Sequence, residues 1–227
     1  MWGWRWWVFS DGGLVARVAI GVTILAIWAT ADLRRNGPNA TRWREYAFLL
    51  VAAVAAAAYG AVNDLITSSI SWEYFYYGKG LCDSLGPVTP PTQGALAWGA
   101  AKIGMESSWS AGVLAAAMLL FTSSYRGRNA SAVPLSMARL IRWLGVVMLG
   151  ALAGGIIGAI AGRVGSYYWM PADLRGIGGM DDHRAALFMT TWGIHAGSYV
   201  GAALATICCL CLIRVRRKSG TIGLSRK

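Results

Sequence analysis

The sequence predicts an all-α integral membrane protein, a bundle of about five transmembrane helices with an ordered outer loop. Of its 227 residues, 56% are hydrophobic and 14% are charged, whereas an ordinary soluble domain carries about 25% charged residues. The apolar residues are concentrated in long runs that short charged stretches separate. Such runs are typical of helices whose solvent is lipid, so the composition excludes an ordinary soluble domain and a disordered chain.

Five apolar segments are long enough, or nearly so, to cross a hydrocarbon core about 30 Å thick at about 1.5 Å per helical residue. The predicted spans are 14–31, 46–62, 104–122, 143–162 and 185–213, within a single membrane domain that covers 1–227. The longest connection is the predicted outer loop, 63–103. In this loop Ser71 is placed to begin a short helix and Gly78 to end it, so the loop is expected to be ordered.

The distribution of Lys and Arg predicts the orientation. Of 21 basic residues, 14 lie in the stretches 32–45, 123–142 and 214–227, which five spans place on one side of the membrane. By the positive-inside rule this side is cytoplasmic, so the N-terminus is expected outside and the C-terminus inside a bacterial inner membrane. Ala29-Thr30-Ala31 looks like a signal-peptidase site, but cleavage there would put all 14 basic residues outside, so the first span is expected to be retained.

The formal charge of +11 does not indicate a nucleic-acid partner, because most of the basic residues lie just outside apolar runs. Their positions match a membrane protein held by positively charged cytoplasmic loops. The expected partners are therefore membrane lipid and either further copies of this chain or other membrane subunits, with no nucleic acid.

Seven glycines repeat at four-residue steps on the last two spans, a pattern known as a glycine zipper. They are Gly150, Gly154, Gly158 and Gly162 on the fourth span and Gly193, Gly197 and Gly201 on the fifth. A four-residue step keeps glycines on one helix face, where two backbones can approach closely. The pattern predicts that these two spans pack along their glycine faces, or that the faces form a dimer interface.

His195 is the one ionisable residue predicted well inside a span, with Thr191, Ser198 and Tyr199 beside it at helical spacing. An ionisable group inside a membrane suggests a proton relay, a metal or haem ligand, or a pore-lining group. The alternative is a neutral imidazole that makes a hydrogen bond to another helix. His183 lies twelve residues away, about 18 Å along a helix, so the two histidines are not expected to share a metal.

Two acidic residues near span ends have a structural and a functional interpretation. Glu106 could pair with Lys102 at the membrane interface, or it could direct a carboxylate towards His195. Asp182, in the pair Asp181-Asp182, could complement the N-terminus of the fifth span, or it could belong to an outer mouth that collects cations. The structural interpretation is favoured for both.

Two stretches carry a resemblance to a known group of proteins. They are Asp64-Leu-Ile-Thr67 followed by Ile70-Ser71-Trp-Glu73-Tyr74-Phe75, and Phe188 through His195-Ala-Gly-Ser198-Tyr199. They resemble uncharacterised bacterial multi-pass membrane proteins that share an Asp-x-Ile-Thr…Glu-Tyr-Phe segment after a span. The resemblance implies no activity, but it draws attention to Asp64, Glu73, Tyr74, Phe75, His195 and Ser198. The candidate cluster is then His195, Ser198, Tyr199, Asp64, Glu73, Glu106 and Asp182.

The sequence supports two hypotheses about function. It contains no Gly-x-Ser-x-Gly, no Gly-Lys-Ser phosphate loop, no His-Glu-x-x-His and no dinucleotide fingerprint, so no catalytic residue can be assigned. The first hypothesis is a non-enzymatic protein without metal or cofactor, either a small permease-like protein or a structural subunit of a membrane complex. The alternative is a membrane-embedded redox enzyme that uses His195 with a metal or haem.

Overall fold

The computed structural model describes residues 11–37, 40, 42–86, 90–124, 135–168 and 179–223. The described residues are 93% helical and contain no strand, which confirms the all-α prediction. The predicted basic stretches 32–45, 123–142 and 214–227 lie partly outside the described residues.

Six α-helices and one π-helix make up the described part of the chain. They are α1 Asp11–Asn36, α2 Arg42–Ile70, the π-helix Tyr74–Gly78, α3 Cys82–Leu85, α4 Gln93–Ser124, α5 Met137–Tyr168 and α6 Asp182–Gly223. Five helices are long and apolar enough to cross a membrane, with spans of 21 to 35 residues. The prediction of a multi-pass membrane protein with about five spans is therefore confirmed.

The helices extend beyond the predicted spans, and the largest difference is at the predicted outer loop. Helix α2 continues to Ile70 and α4 begins at Gln93, so the connection shortens from 63–103 to 71–92. The last two turns of α2 are polar, but their hydroxyl groups bond within the helix. The hydroxyl of Thr67 donates to the carbonyl of Asn63 at 2.8 Å, and that of Ser68 donates to Leu65 at 2.8 Å. Hydroxyls satisfied in this way allow a polar segment to remain helical.

The chain divides into two compact units, Met1–Val51 and Ala52–Lys227. The prediction of a single membrane domain stays a prediction. In the first unit Asp32, near the end of α1, is buried and accepts a hydrogen bond from the backbone N–H of Arg42 at 3.0 Å. A carboxylate at this position satisfies one of the free N–H groups that begin a helix. Trp28 and Tyr46 also pack together, with ring centroids 6.1 Å apart.

In the second unit, α5 and α6 run against each other along the predicted glycine faces. A Cβ added at Gly158 would meet the carbonyl of Gly193 well inside 3.0 Å, and one added at Gly154 would meet that of Gly197 equally closely. A Cβ added at Gly150 would lie 2.9 Å from the carbonyl oxygen of Gly201 and closer still to Cβ of Ala205, and one at Gly162 would overlap the carbonyl of Met189. All seven predicted glycines therefore lie where only a hydrogen atom fits between the two backbones. Close approach of this kind gains dispersion contacts that lipid cannot match.

The backbones of helices α2 and α4 also approach each other closely where the two helices cross. A Cβ at Gly60 would overlap the carbonyl of Gly104, and one at Gly112 would overlap Ala56 and the carbonyl of Ala52. The small residues that meet here recur at four-residue steps on both helices: Ala52, Ala56 and Gly60 on α2, and Gly104, Ser108 and Gly112 on α4. This crossing brings the polar end of α2 into the interior.

The connection after α2 folds back over the helix ends. Ser71 Oγ accepts a hydrogen bond from the backbone N–H of Tyr74 at 3.3 Å, and Lys79 N–H donates to the carbonyl of Tyr74 at 2.9 Å, which closes the π-helix. The predicted short helix from Ser71 to Gly78 is thus present, in π form. Its aromatic residues join an apolar cluster with the starts of α4 and α6, namely Tyr74, Phe75, Leu81, Leu96, Ala100, Met180, Phe188 and Met189. We call the segment 71–86 the cap.

Candidate functional site

His195 lies in the interior of the second unit and faces two side chains of α2. Its Nε2 is 3.3 Å from the hydroxyl oxygen of Thr67, and its Nδ1 is 3.6 Å from Oδ1 of Asp64. All three residues are buried. Asp64 and Thr67 share one face of α2 because residues three apart on a helix are neighbours. The structure therefore places two members of the predicted cluster, His195 and Asp64, side by side.

Aromatic side chains of the cap enclose the imidazole of His195. The ring of Tyr74 stacks on it with centroids 4.9 Å apart and an interplanar angle of 24°, and Phe75 meets it edge-on at 5.8 Å. Lys79 Nζ lies 5.6 Å from the centroid of the Tyr74 ring. Burial raises the pKa of the Tyr74 phenol well above its usual range, and the nearby Asp64 carboxylate acts in the same direction. Tyr74 therefore stays neutral and serves as an apolar lid over the histidine.

The hydrogen-bond network indicates which ring nitrogen of His195 carries a proton. The hydroxyl proton of Thr67 is used in the 2.8 Å bond to the carbonyl of Asn63. With its proton used there, Thr67 Oγ1 can accept a hydrogen bond from His195, which fits the tautomer that carries its proton on Nε2. In a neutral imidazole the other nitrogen, Nδ1, presents a lone pair, and here it faces the carboxyl group of Asp64.

Space for the Asp64 carboxyl group comes from glycines at the crossing of α2 and α4. A Cβ added at Gly104 would come within 2.9 Å of Asp64 Cγ. The carboxyl group is also held by a 3.2 Å hydrogen bond from the side-chain amide of Asn63. Gly104 therefore allows the charged end of Asp64 to lie between the helices, beside His195.

A cavity of about 320 Å³ extends from this polar group between α2, α4, α5 and α6. Known small-molecule pockets have volumes of about 300–1,000 Å³, so the cavity reaches the lower end of that range. Its polar end is lined by Asn63, Asp64, His195, Tyr59 and Ser198. The rest is mainly apolar, with the hydroxyl groups of Ser108 and Thr206 among side chains such as Leu114, Met118, Leu144, Met148 and Ile207.

Tyr59 and Ser198 form a second polar contact in the cavity. The Tyr59 hydroxyl lies 3.1 Å from Ser198 Oγ, with either group able to donate. Tyr199, the next residue of α6, also lines the cavity. Four members of the predicted cluster, Asp64, His195, Ser198 and Tyr199, thus lie around one space.

Glu73 is not beside His195; it pairs with Arg184 at the start of α6. Its Oε1 is 2.5 Å from Arg184 Nε, and its Oε2 accepts a 2.9 Å hydrogen bond from the hydroxyl of Ser71. The guanidinium of Arg184 lies 5.3 Å from the ring centroid of Trp72. This pair fastens the cap to α6, and Glu73 is placed for a structural role.

Asp182 and Glu106 do not line the cavity. Asp182 is exposed in the first turn of α6, where the carboxylate of Asp181 accepts a 2.8 Å hydrogen bond from the backbone N–H of Arg184. The favoured interpretation of this acidic pair, a helix N-terminal cap, agrees with that geometry. Glu106 is half-buried on α4, two residues beyond Gly104.

Three residues that contribute to the site, Thr67, Asn63 and Tyr59, were not among the candidates predicted from the sequence. Thr67 and Asn63 lie within one turn of Asp64, so a polar face at the end of α2 was a detectable signal. Tyr59 carries no such signal, because a single tyrosine in an apolar helix is common at membrane boundaries.

The geometry around His195 bears on the metal or haem alternative. One ring nitrogen faces Thr67 and the other faces Asp64, while Tyr74 and Phe75 cover the ring. A metal at Nε2 would have to displace Thr67, and one at Nδ1 would have Asp64 as its nearest further ligand. Within the described ranges, no three His, Cys, Asp or Glu side chains form a group suited to a metal ion.

Comparison of the chain with protein-family models, curated proteins and solved structures gives no significant match.

Proposed function

We propose that this chain is a non-enzymatic, permease-like carrier of a bacterial inner membrane. The observation that supports the proposal is the cavity of about 320 Å³ with the Asp64–His195 pair at one end. Ionisable groups are costly inside a membrane, and they commonly mark the path of a substrate or an ion. A subunit with a purely structural role would gain more stability from apolar side chains at these two positions.

The depth of the cavity also suits a carrier. His195 precedes Arg214 by 19 residues on α6, about 28 Å along the helix axis. Ile207, at the apolar end of the cavity, precedes Arg214 by only seven residues, or about 10 Å. The cavity thus extends through much of the membrane, from the capped end towards the basic end of the helices.

The proposal includes an orientation with the N-terminus outside and the C-terminus in the cytoplasm. A peptide tag placed after Lys227 should resist protease added to intact spheroplasts and be digested once the membrane is permeabilised. The reason is that the basic stretches around α2, α5 and the end of α6 favour the cytoplasmic side. Digestion of the tag in intact spheroplasts would show that the orientation is the reverse.

A carrier must expose its polar site to water on each side in turn, and this can be tested at Ser198. The side chain is buried beside Tyr59 at the polar end of the cavity. We expect Ser198→Cys, in a background where Cys82, Cys208, Cys209 and Cys211 are replaced by alanine, to react with a membrane-impermeant thiol reagent. Labelling should occur in right-side-out and in inside-out vesicles, and mass spectrometry of the purified chain would quantify it.

The matched control for this labelling is Leu149→Cys on α5. Leu149 is 66% exposed on the outward face of that helix, where lipid should keep the reagent away. Protection of Ser198→Cys on both sides, equal to that of the control, would contradict a carrier and favour a structural subunit.

A further inference from the structure

The Asp64–His195 pair has a deficit of hydrogen-bond donors. With the proton of a neutral His195 on Nε2, Nδ1 of His195 and Oδ1 of an ionised Asp64 are both acceptors, and they are 3.6 Å apart. A direct hydrogen bond would bring such atoms to about 2.7–3.2 Å. The amide of Asn63, at 3.2 Å, is the donor that the structure gives to Asp64. Two facing acceptors in a buried site need either one proton between them or an added donor.

The charge of the cavity lining indicates what kind of hydrogen-bond donor a ligand would bring to this pair. Among the described lining residues there is no Lys or Arg, and Asp64 supplies the one carboxyl group. The hydroxyl groups of Tyr59 and Tyr199, which also line the cavity, can donate and accept hydrogen bonds. Lys79 lies outside the lining, with its Nζ 5.6 Å from the centroid of the Tyr74 ring, and its charge reaches both Asp64 and His195. Lys102 and Glu106 lie two residues to either side of Gly104 on α4. The lining therefore complements a cation with N–H donors.

The cavity is also open to the sides of its helices. Leu114 and Met118 of α4 and Ile207 of α6 line it, although they are 58%, 42% and 57% exposed. Residues that both line a cavity and face the surroundings mark a gap between α4 and α6. At the other end, the buried Tyr74 and Phe75 cover the polar group. A ligand that uses this gap comes from the bilayer and must itself be hydrophobic.

We propose that the cavity binds a hydrophobic primary amine, with its ammonium group at Asp64 and His195 and its chain along the apolar lining. This inference rests on the proposed carrier function and names its substrate class. The ammonium donates one N–H to Asp64 Oδ1 and one to His195 Nδ1, the two acceptors that otherwise share a proton. When the ammonium binds to the protonated pair, that proton leaves to water, so one cation is exchanged for one proton.

The size of the cavity limits the amine. An apolar cavity of about 150 Å³ holds one benzene molecule, and this cavity is about 320 Å³. A single chain of moderate length fits such a space, so n-octylamine is a suitable probe. The protein is placed in phosphatidylcholine nanodiscs, because that headgroup has no N–H donor, and binding of radiolabelled n-octylamine is measured at equilibrium.

The expected result is saturable binding of one amine per chain that weakens as the pH falls. Where the pair is protonated, each lower pH unit should weaken binding by about tenfold, since one proton must leave for each cation bound. Octyltrimethylammonium has the charge but no N–H, and it should compete about 10- to 100-fold less well than the primary amine. n-Octanol should not compete.

Two variants and one control connect the binding to the site. Asp64→Asn should abolish saturable binding and its pH dependence, whereas Asp182→Asn, which removes an exposed carboxylate outside the lining, should bind like the native protein. Ala115→Phe fills the apolar part of the cavity and keeps the polar pair, so it should weaken binding of n-octylamine but not of n-butylamine. If gel filtration shows that Asp64→Asn does not fold, Ala115→Phe provides the decisive comparison.

The inference is overturned if the native protein shows no saturable binding, if the binding does not depend on pH, or if neither site variant alters it. The carrier function would survive that result when Ser198→Cys is still labelled from both sides. Adding phosphatidylethanolamine to the nanodiscs identifies the source of the ammonium. Displacement of n-octylamine would indicate a lipid headgroup, and no displacement would indicate a free amine.

Discussion

Gly158→Ala should destabilise the protein by about 1–3 kcal/mol, the usual cost of overpacking a well-packed interior. The added Cβ would lie well inside 3.0 Å of the carbonyl of Gly193 and at 3.0 Å from the Cα of Gly197. These atoms belong to a helix backbone, which cannot rotate away as a flexible side chain can. Helices α5 and α6 would have to separate along their whole glycine face, with a loss of packing beyond the site of the change.

The same substitution at Gly145 provides a matched control on the same helix. A Cβ there would meet nothing within 4 Å, and alanine is a better helix former than glycine by about 1 kcal/mol. Gly145→Ala should therefore leave stability unchanged or raise it slightly. Thermal unfolding of both variants in the same detergent measures the difference, and equal melting temperatures would contradict the packing.

The sequence left open whether the glycine faces join two helices of one chain or two copies of the chain. In the structure the two glycine faces pack against each other within one chain, Gly154 against Gly197 and Gly158 against Gly193. Gly158→Ala should then lower stability without changing the molecular mass of the native species. Light scattering in detergent would show a change of mass if the face served a dimer instead.

The fold was largely predictable because lipid imposes a simple requirement on the sequence. Each span must satisfy its backbone polar groups within itself and present apolar side chains, so long apolar runs identify helices directly. The ends of the helices were less predictable. Asn63 and Asp64 look like the start of a loop, but the following hydroxyls bond to their own helix and α2 continues to Ile70.

The candidate site was predictable only in part. His195 is identifiable because an ionisable side chain in an apolar run is rare. Its partners depend on how α2 and α6 are rotated about their axes. For α2 this rotation is set where Gly60 packs against Gly104 of α4, a contact that an apolar run does not reveal. Glu73 is the reverse case. The resemblance placed it among the candidates together with Asp64, but its side chain turns to Arg184.

The Glu73–Arg184 pair should make a large contribution to the attachment of the cap. The side chain of Glu73 is 4% exposed, and that of Arg184 is 34% exposed. Breaking a fully buried ion pair by removing one partner costs about 3–5 kcal/mol, because the other charge is left uncompensated. Solvent around Arg184 reduces this cost, so Arg184→Met should destabilise the protein by about 2–4 kcal/mol. The backbone N–H of Arg184 keeps its bond to Asp181, since methionine retains that group.

A double-mutant cycle separates this ion pair from the loss of packing by the Arg184 side chain. Glu73→Gln leaves an amide that can still accept the hydrogen bond from Ser71, so in the Arg184→Met background it should recover most of the lost stability. The expected coupling between the two positions is about 1–3 kcal/mol, measured from thermal unfolding of the native protein, both single variants and the double variant. If the two changes were simply additive, Glu73 and Arg184 would not act as a pair, and the cap would be held instead by the apolar packing of Tyr74 and Phe75 against α4 and α6.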